Sequence, residues 1–109
     1  MNRREFTKNI VELLQEMIAA GENPILDYAL RSALEQRRLY KAGLSKCDGF
    51  KILSAHQRGT ACDIYLVQTK PKIKVDFEWD KLKAGLWHNI WQRKGGKRAI
   101  LWDLGHFEG

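Results

Sequence analysis

His56 and Asp63 are separated by Gln57-Arg58-Gly59-Thr60 and two further residues, and Asp103 precedes His106 by three positions near the far end of the chain. Two imidazoles and a carboxylate are a donor set for hydrolytic zinc. Such an ion takes nitrogen and oxygen ligands tetrahedrally at about 2.0 to 2.2 Å, three from the protein, and leaves the fourth position to water. His56, Asp63 and His106 would hold one Zn2+. Asp103, on the turn of His106 and too constrained to ligate beside it, would hydrogen-bond the water and act as general base. The same residue types also occur as surface groups or as hydrogen-bonded core groups, and their spacing does not decide between these readings.

The elements that must position these groups are legible from periodicity. Phe6, Ile10, Leu13, Leu14, Met17 and Ile18 recur at helical spacing, which predicts an amphipathic helix over 4–20 stopped at Gly21. Pro24 disfavours helix before it, and Ile25, Leu26, Tyr28 and Leu30 predict a short strand leading to Arg31. Ser32 and Glu35 form a capping box for a second helix over 33–42, terminated at Gly43. A short strand is expected over 50–53.

The run 61–68 reads as a strand, with Ala61, Asp63, Tyr65 and Val67 on one face and Cys62, Ile64 and Leu66 on the other. A third helix is predicted over 80–93, with Leu82, Lys83, Leu86, Trp87, Ile90 and Trp91 on its buried stripe and His88 on its exposed side. A last strand is expected over 99–102, delivering Asp103 and His106. His56 and His106 are placed in loops beside strands. Short strands and helices without a βαβ rhythm predict an α+β domain with a small, mainly antiparallel sheet and about three helices.

The 109 residues fit a single domain spanning 1–109, and 44% apolar with 29% charged residues are globular proportions that exclude a disordered or collagen-like chain. Charges interrupt every apolar run, so no membrane span or stable membrane anchor is expected. The N-terminal segment lacks the apolar centre of a secretion signal, which predicts synthesis in the cytoplasm. Cys47 and Cys62, without CxxC spacing, read as reduced thiols. The net charge of +6 suits a polyanionic partner such as nucleic acid, a membrane or a bacterial wall polymer. The basic residues Lys70, Lys72 and Lys74, and Arg93, Lys94, Lys97 and Arg98, read as solvated surface. No base-reading motif accompanies the charge, so nucleic acid is not the expected partner.

The string from Ser54 to Asp63 reads SxHxxGxAxD, and Asp103 to Phe107 reads DxxHF. Together they resemble the zinc peptidases of the D-alanyl-D-alanine carboxypeptidase family, which includes vancomycin-resistance dipeptidases and the L-alanyl-D-glutamate endopeptidases of phage endolysins. Two further stretches are similar to that family: Leu30-Arg31-Ser32-Ala-Leu-Glu-Gln36, and an LYxxGxSK-like run over 39–46. The resemblance covers the chain from about Pro24 onward and implies a hedgehog/DD-peptidase-like fold. It implies His56, Asp63 and His106 as zinc ligands and Asp103 as the catalytic carboxylate. It also places Arg31 at a strand end facing the metal, where a guanidinium stabilises the developing oxyanion. Ser54 and Arg58 fall inside the motif, Ser54 as a group orienting a ligand or shaping the turn and Arg58 as a group for substrate carboxylate or solvent. Relatives often carry a Trp-Gly-rich stretch where residues 95–102 read Gly-Gly-Lys-Arg-Ala-Ile-Leu-Trp.

By that resemblance the chain is expected to cleave peptidoglycan stem peptides as an L-alanyl-D-glutamate endopeptidase, acting on the wall after a separate pore-forming protein releases it. The alternatives are a D-alanyl-D-alanine carboxypeptidase or dipeptidase and a non-catalytic metal-binding module.

Overall fold

A computed structural model describes residues 1–27, 32–49 and 54–109. Its elements are helix α1 (Arg3–Ala19), strand β1 (Pro24–Leu26), helices α2 (Ala33–Lys41) and α3 (Ala55–Arg58), strands β2 (Ala61–Gln68) and β3 (Lys74–Asp76), helix α4 (Lys81–Arg93) and strand β4 (His106–Glu108). The fold is α+β, with an antiparallel sheet. The expected strand over 50–53, the continuation of β1 through Tyr28 and Leu30, and Arg31 lie outside the described residues.

Helix α1 begins where Asn2 and Glu5 satisfy each other's backbone amides in a capping box, and its buried Phe6, Ile10, Leu13 and Met17 form one stripe. Ile18, expected on that stripe, is exposed. The stripe ends one residue earlier, at Met17, whose carbonyl accepts from Glu22 N–H as the chain reverses.

Strand β2 organises the sheet. One edge pairs with β1 through Leu26 and Ile64, and the other is shared, by β4 along Ala61–Asp63 and by β3 along Leu66–Gln68. Where that edge passes from β4 to β3, the Trp79 indole N–H donates to the Ile64 carbonyl at 3.0 Å and satisfies a group that neither strand reaches. Strand alternation then divides the chemistry. Cys62, Ile64 and Leu66 from β2 and Phe107 from β4 turn into the core against Phe6, Leu13, Met17, Trp79, Trp87 and Trp91. Asp63, His106 and Glu108 belong to the opposite face, and Asp63 pairs with His106 in register.

Three expectations change. Helix α4 buries Ala84, Trp87, His88 and Trp91 rather than the stripe through Leu82 and Leu86, which stay exposed. The two indoles at i and i+4 are the largest apolar groups on the helix, and turning them inward takes 84 and 88 with them. His88, expected on the exposed side, is therefore a core residue. The C-terminal strand is 106–108, not 99–102. In that earlier stretch only Ile100 bridges, to Asp103, and Leu101 and Trp102 are exposed, because Phe107 is the apolar group that β2 can cover. Four described helices replace the expected three, the extra one being α3. Among the described residues, no helix is long and apolar enough to cross a membrane.

Candidate metal centre

The segment that carries His56 is not a loop but the single helical turn α3. Ser54 caps it, its hydroxyl accepting from Gln57 N–H at 3.1 Å, and Gly59 closes it in the left-handed conformation at φ +74°. Ser54 thus shapes the turn of the motif. Thr60 N–H then returns to the Ala55 carbonyl, and β2 begins at once, so the turn sets His56 beside Asp63. His106 opens β4 rather than lying in a loop, and reaches the same place through the strand pair. Gly105, just before it, has no room for a side chain: a Cβ there would come within 2.6 Å of the Tyr65 ring.

His56, Asp63 and His106 converge, each offering one ligand atom to a common point. His56 Nε2 lies 3.1 Å from His106 Nδ1, and Asp63 Oδ1 lies 3.4 Å from the first and 3.5 Å from the second. Donors 2.0 to 2.1 Å from one tetrahedral ion are separated by roughly 3.3 to 3.4 Å, so the three separations suit joint coordination of one small cation. Asp63 Oδ1 is buried and makes no well-aligned hydrogen bond among the described residues. A buried carboxylate oxygen served only by two long, poorly aligned ring contacts is stabilised when a cation meets it. The residues present therefore fit a metal ion.

The electrostatics agree. Burial alone would raise the Asp63 carboxyl, but the adjacent His106 and His56 rings outweigh it and hold the group down to about 2. Burial opposes a charge on His106, yet Asp63 and Glu108 prevail and raise its pKa, with Asp103 adding to the effect. Beyond Asp63, His106 Nε2 lies 3.0 Å from Glu108 Oε1, and Lys97 Nζ holds Glu108 Oε2 at 2.6 Å. Burial would raise the Glu108 carboxyl, but Lys97 and His106 lower it.

The cluster opens into a cleft of about 770 Å³ whose lining includes Asp27, Arg58, Tyr65 and Asp103. Asp103 lines the cleft outside the ligand cluster, and its main chain closes the turn by accepting from His106 N–H at 3.1 Å. Arg58 is exposed at the cleft. One wall is the stretch after α2, held by two buried or half-buried amides. Gln36 Nε2 donates to Ser45 Oγ and to the Cys47 carbonyl, and Gln57 Nε2 donates to the Gly49 carbonyl. Both cysteines are free thiols, and burial with the nearby Asp63 charge pushes Cys62 up to about 12.

Sequence reading missed Glu108, the hydrogen bonds of Gln36 to the stretch after α2 and the packing role of His88. Glu108 had a signal, because in a strand it shares a face with His106. No protein-family model matches the chain, and a search of curated proteins found no match.

Proposed function

We propose that this chain is a zinc-dependent peptidase of bacterial peptidoglycan stem peptides, of the L-alanyl-D-glutamate endopeptidase type. The convergence of His56 Nε2, Asp63 Oδ1 and His106 Nδ1 at zinc-like separations, in a cleft that also presents Asp103, carries the reading. The metal is assigned as zinc because two imidazoles and one carboxylate, with a position left open, match hydrolytic zinc better than the all-oxygen shells of calcium or magnesium. A zinc ion there supplies a Lewis acid and makes water nucleophilic at neutral pH. Asp103 accepts the proton of the attacking water and returns it to the departing amine. Arg58 offers a cation at the cleft for a substrate carboxylate, which the D-glutamate residue of a stem peptide carries. Arg31 is assigned to oxyanion stabilisation by the sequence resemblance alone. The net charge of +6 suits a polyanionic wall.

Digestion of purified muropeptides by the zinc-loaded protein, with the new termini identified by mass spectrometry, tests the proposal. A new D-glutamate amino terminus is expected. Release of D-alanine instead would assign the carboxypeptidase activity, and no cleavage by zinc-loaded protein would overturn the enzymatic reading. Asp103→Asn is expected to retain one zinc and lose about 10² to 10⁴-fold in turnover, the usual contribution of a general base.

A further inference from the structure

Glu108 and Lys97 extend the centre beyond its three ligands. In β4, residues 106 and 108 share a face while Phe107 is fully buried on the other, so the Glu108 carboxylate comes alongside the His106 ring. The main chain of Glu108 is fixed independently of its side chain: its carbonyl accepts from Lys97 N–H at 2.8 Å and from the Trp91 indole at 2.9 Å. The side chain is then held at both oxygens, Oε2 by Lys97 Nζ at 2.6 Å and Oε1 against His106 Nε2 at 3.0 Å.

An ionised carboxylate only accepts hydrogen bonds, and Glu108 Oε1 lies 3.0 Å from Nε2 whereas Asp63 Oδ1 lies 3.5 Å from Nδ1, so the single proton of a neutral ring belongs on Nε2. In a neutral imidazole a proton on Nε2 leaves Nδ1 bare, and Nδ1 is the atom directed at His56 and Asp63. We propose that Glu108, braced by Lys97, is a positioning residue that fixes His106 as the Nε2–H tautomer and so presents its Nδ1 lone pair to a cation. This inference deepens the zinc reading and rests on it for its consequence, but the tautomer belongs to the metal-free protein as well. Partners of this kind orient the ring, and their loss usually weakens metal binding about 10- to 100-fold.

Two readouts on the intact chain test the assignment. Long-range 15N–1H spectra of the metal-free protein at a pH where His106 is neutral are expected to show Nε2 protonated and Nδ1 bare. In Glu108→Ala that tautomer preference should relax, and zinc affinity, measured by chelator competition, should fall about 10- to 100-fold. Glu108→Gln keeps an acceptor oxygen and should retain the tautomer and most of the affinity; it also serves where the alanine variant fails to fold. Wild-type His106 protonated at Nδ1, or unaltered zinc affinity in Glu108→Ala, would overturn the proposal. A wild-type chain that binds no zinc yet shows the Nε2–H tautomer, lost in Glu108→Ala, would remove the metal reading while leaving the role of Glu108 in place.

Discussion

His88 and His106 lie on opposite sides of the same short segment, and both are largely removed from water, yet the chain uses them in opposite ways. His88 stacks on Phe107 with ring centroids 4.1 Å apart and planes 3° from parallel, and its Nε2–H donates to the Leu104 carbonyl at 2.7 Å. His106 meets His56, Asp63 and Glu108. Burial lowers the pKa of His88 despite the Leu104 carbonyl, whereas at His106 the neighbouring carboxylates override burial and raise it. Burial alone therefore does not mark a ligand. The partners of the two ring nitrogens do, and strand alternation around Phe107 decides which partners each ring receives.

The largest expected effect separates the two rings outright. His106→Ala should abolish stoichiometric zinc binding, measured by equilibrium dialysis with metal analysis, while leaving the far-ultraviolet circular dichroism of the fold intact. His88→Ala should bind one zinc as before but lose stability by about 2 to 4 kcal/mol in urea unfolding, on the scale of large-to-small core substitutions. Zinc loss in His88→Ala without unfolding would break the comparison.

A second contrast is smaller. Zinc at about 100 times its dissociation constant should stabilise the wild-type chain by about 2.7 kcal/mol, and His88→Ala by the same amount, while His106→Ala should gain nothing. Thermal or urea unfolding with and without metal reads this directly. Equal stabilisation of His106→Ala would place the ion elsewhere.

The smallest effect is the sign of the pH dependence in metal-free protein. His106, with its raised pKa, contributes stability that is present below its ordinary value of 6.5 and is lost as pH rises through the raised one. His88, with its lowered pKa, contributes the reverse: stability present above 6.5 and lost as pH falls through the lowered value. Asp63 contributes above its ordinary 3.8, and that contribution disappears only as pH falls through about 2. Following the two imidazole Cε1 protons by NMR should show His106 titrating above 6.5 and His88 below it; the opposite order would contradict the account.

What the sequence made legible were the local features. The alternation of β2 correctly turned Asp63 away from Cys62 and Ile64, and Ser32 and Gly43 marked the ends of α2. The convergence of His56, Asp63 and His106 was anticipated because each residue type is an ordinary ligand and the motif resemblance grouped them, whereas their spacing alone did not. The errors lie where distant packing decides. Which side of α4 faces inward depends on where Phe107 and Phe6 meet Trp91, contacts that no window around residue 88 contains. The shift of the last strand from 99–102 to 106–108 has the same origin, since β4 exists by pairing with β2 far upstream. Gln36 stood out only as part of a family-like string, and its part in holding Ser45 and Cys47 depends on a loop fold that no helical pattern contains.

Zinc K-edge X-ray absorption on the zinc-loaded chain reads the ligand shell formed by His56, Asp63 and His106. One ion per chain is expected, in a four-coordinate shell of light atoms at about 2.0 to 2.1 Å with the outer-shell scattering of two imidazoles. A sulfur shell near 2.3 Å, which would require Cys47 or Cys62, or the scattering of fewer than two imidazoles, would contradict it.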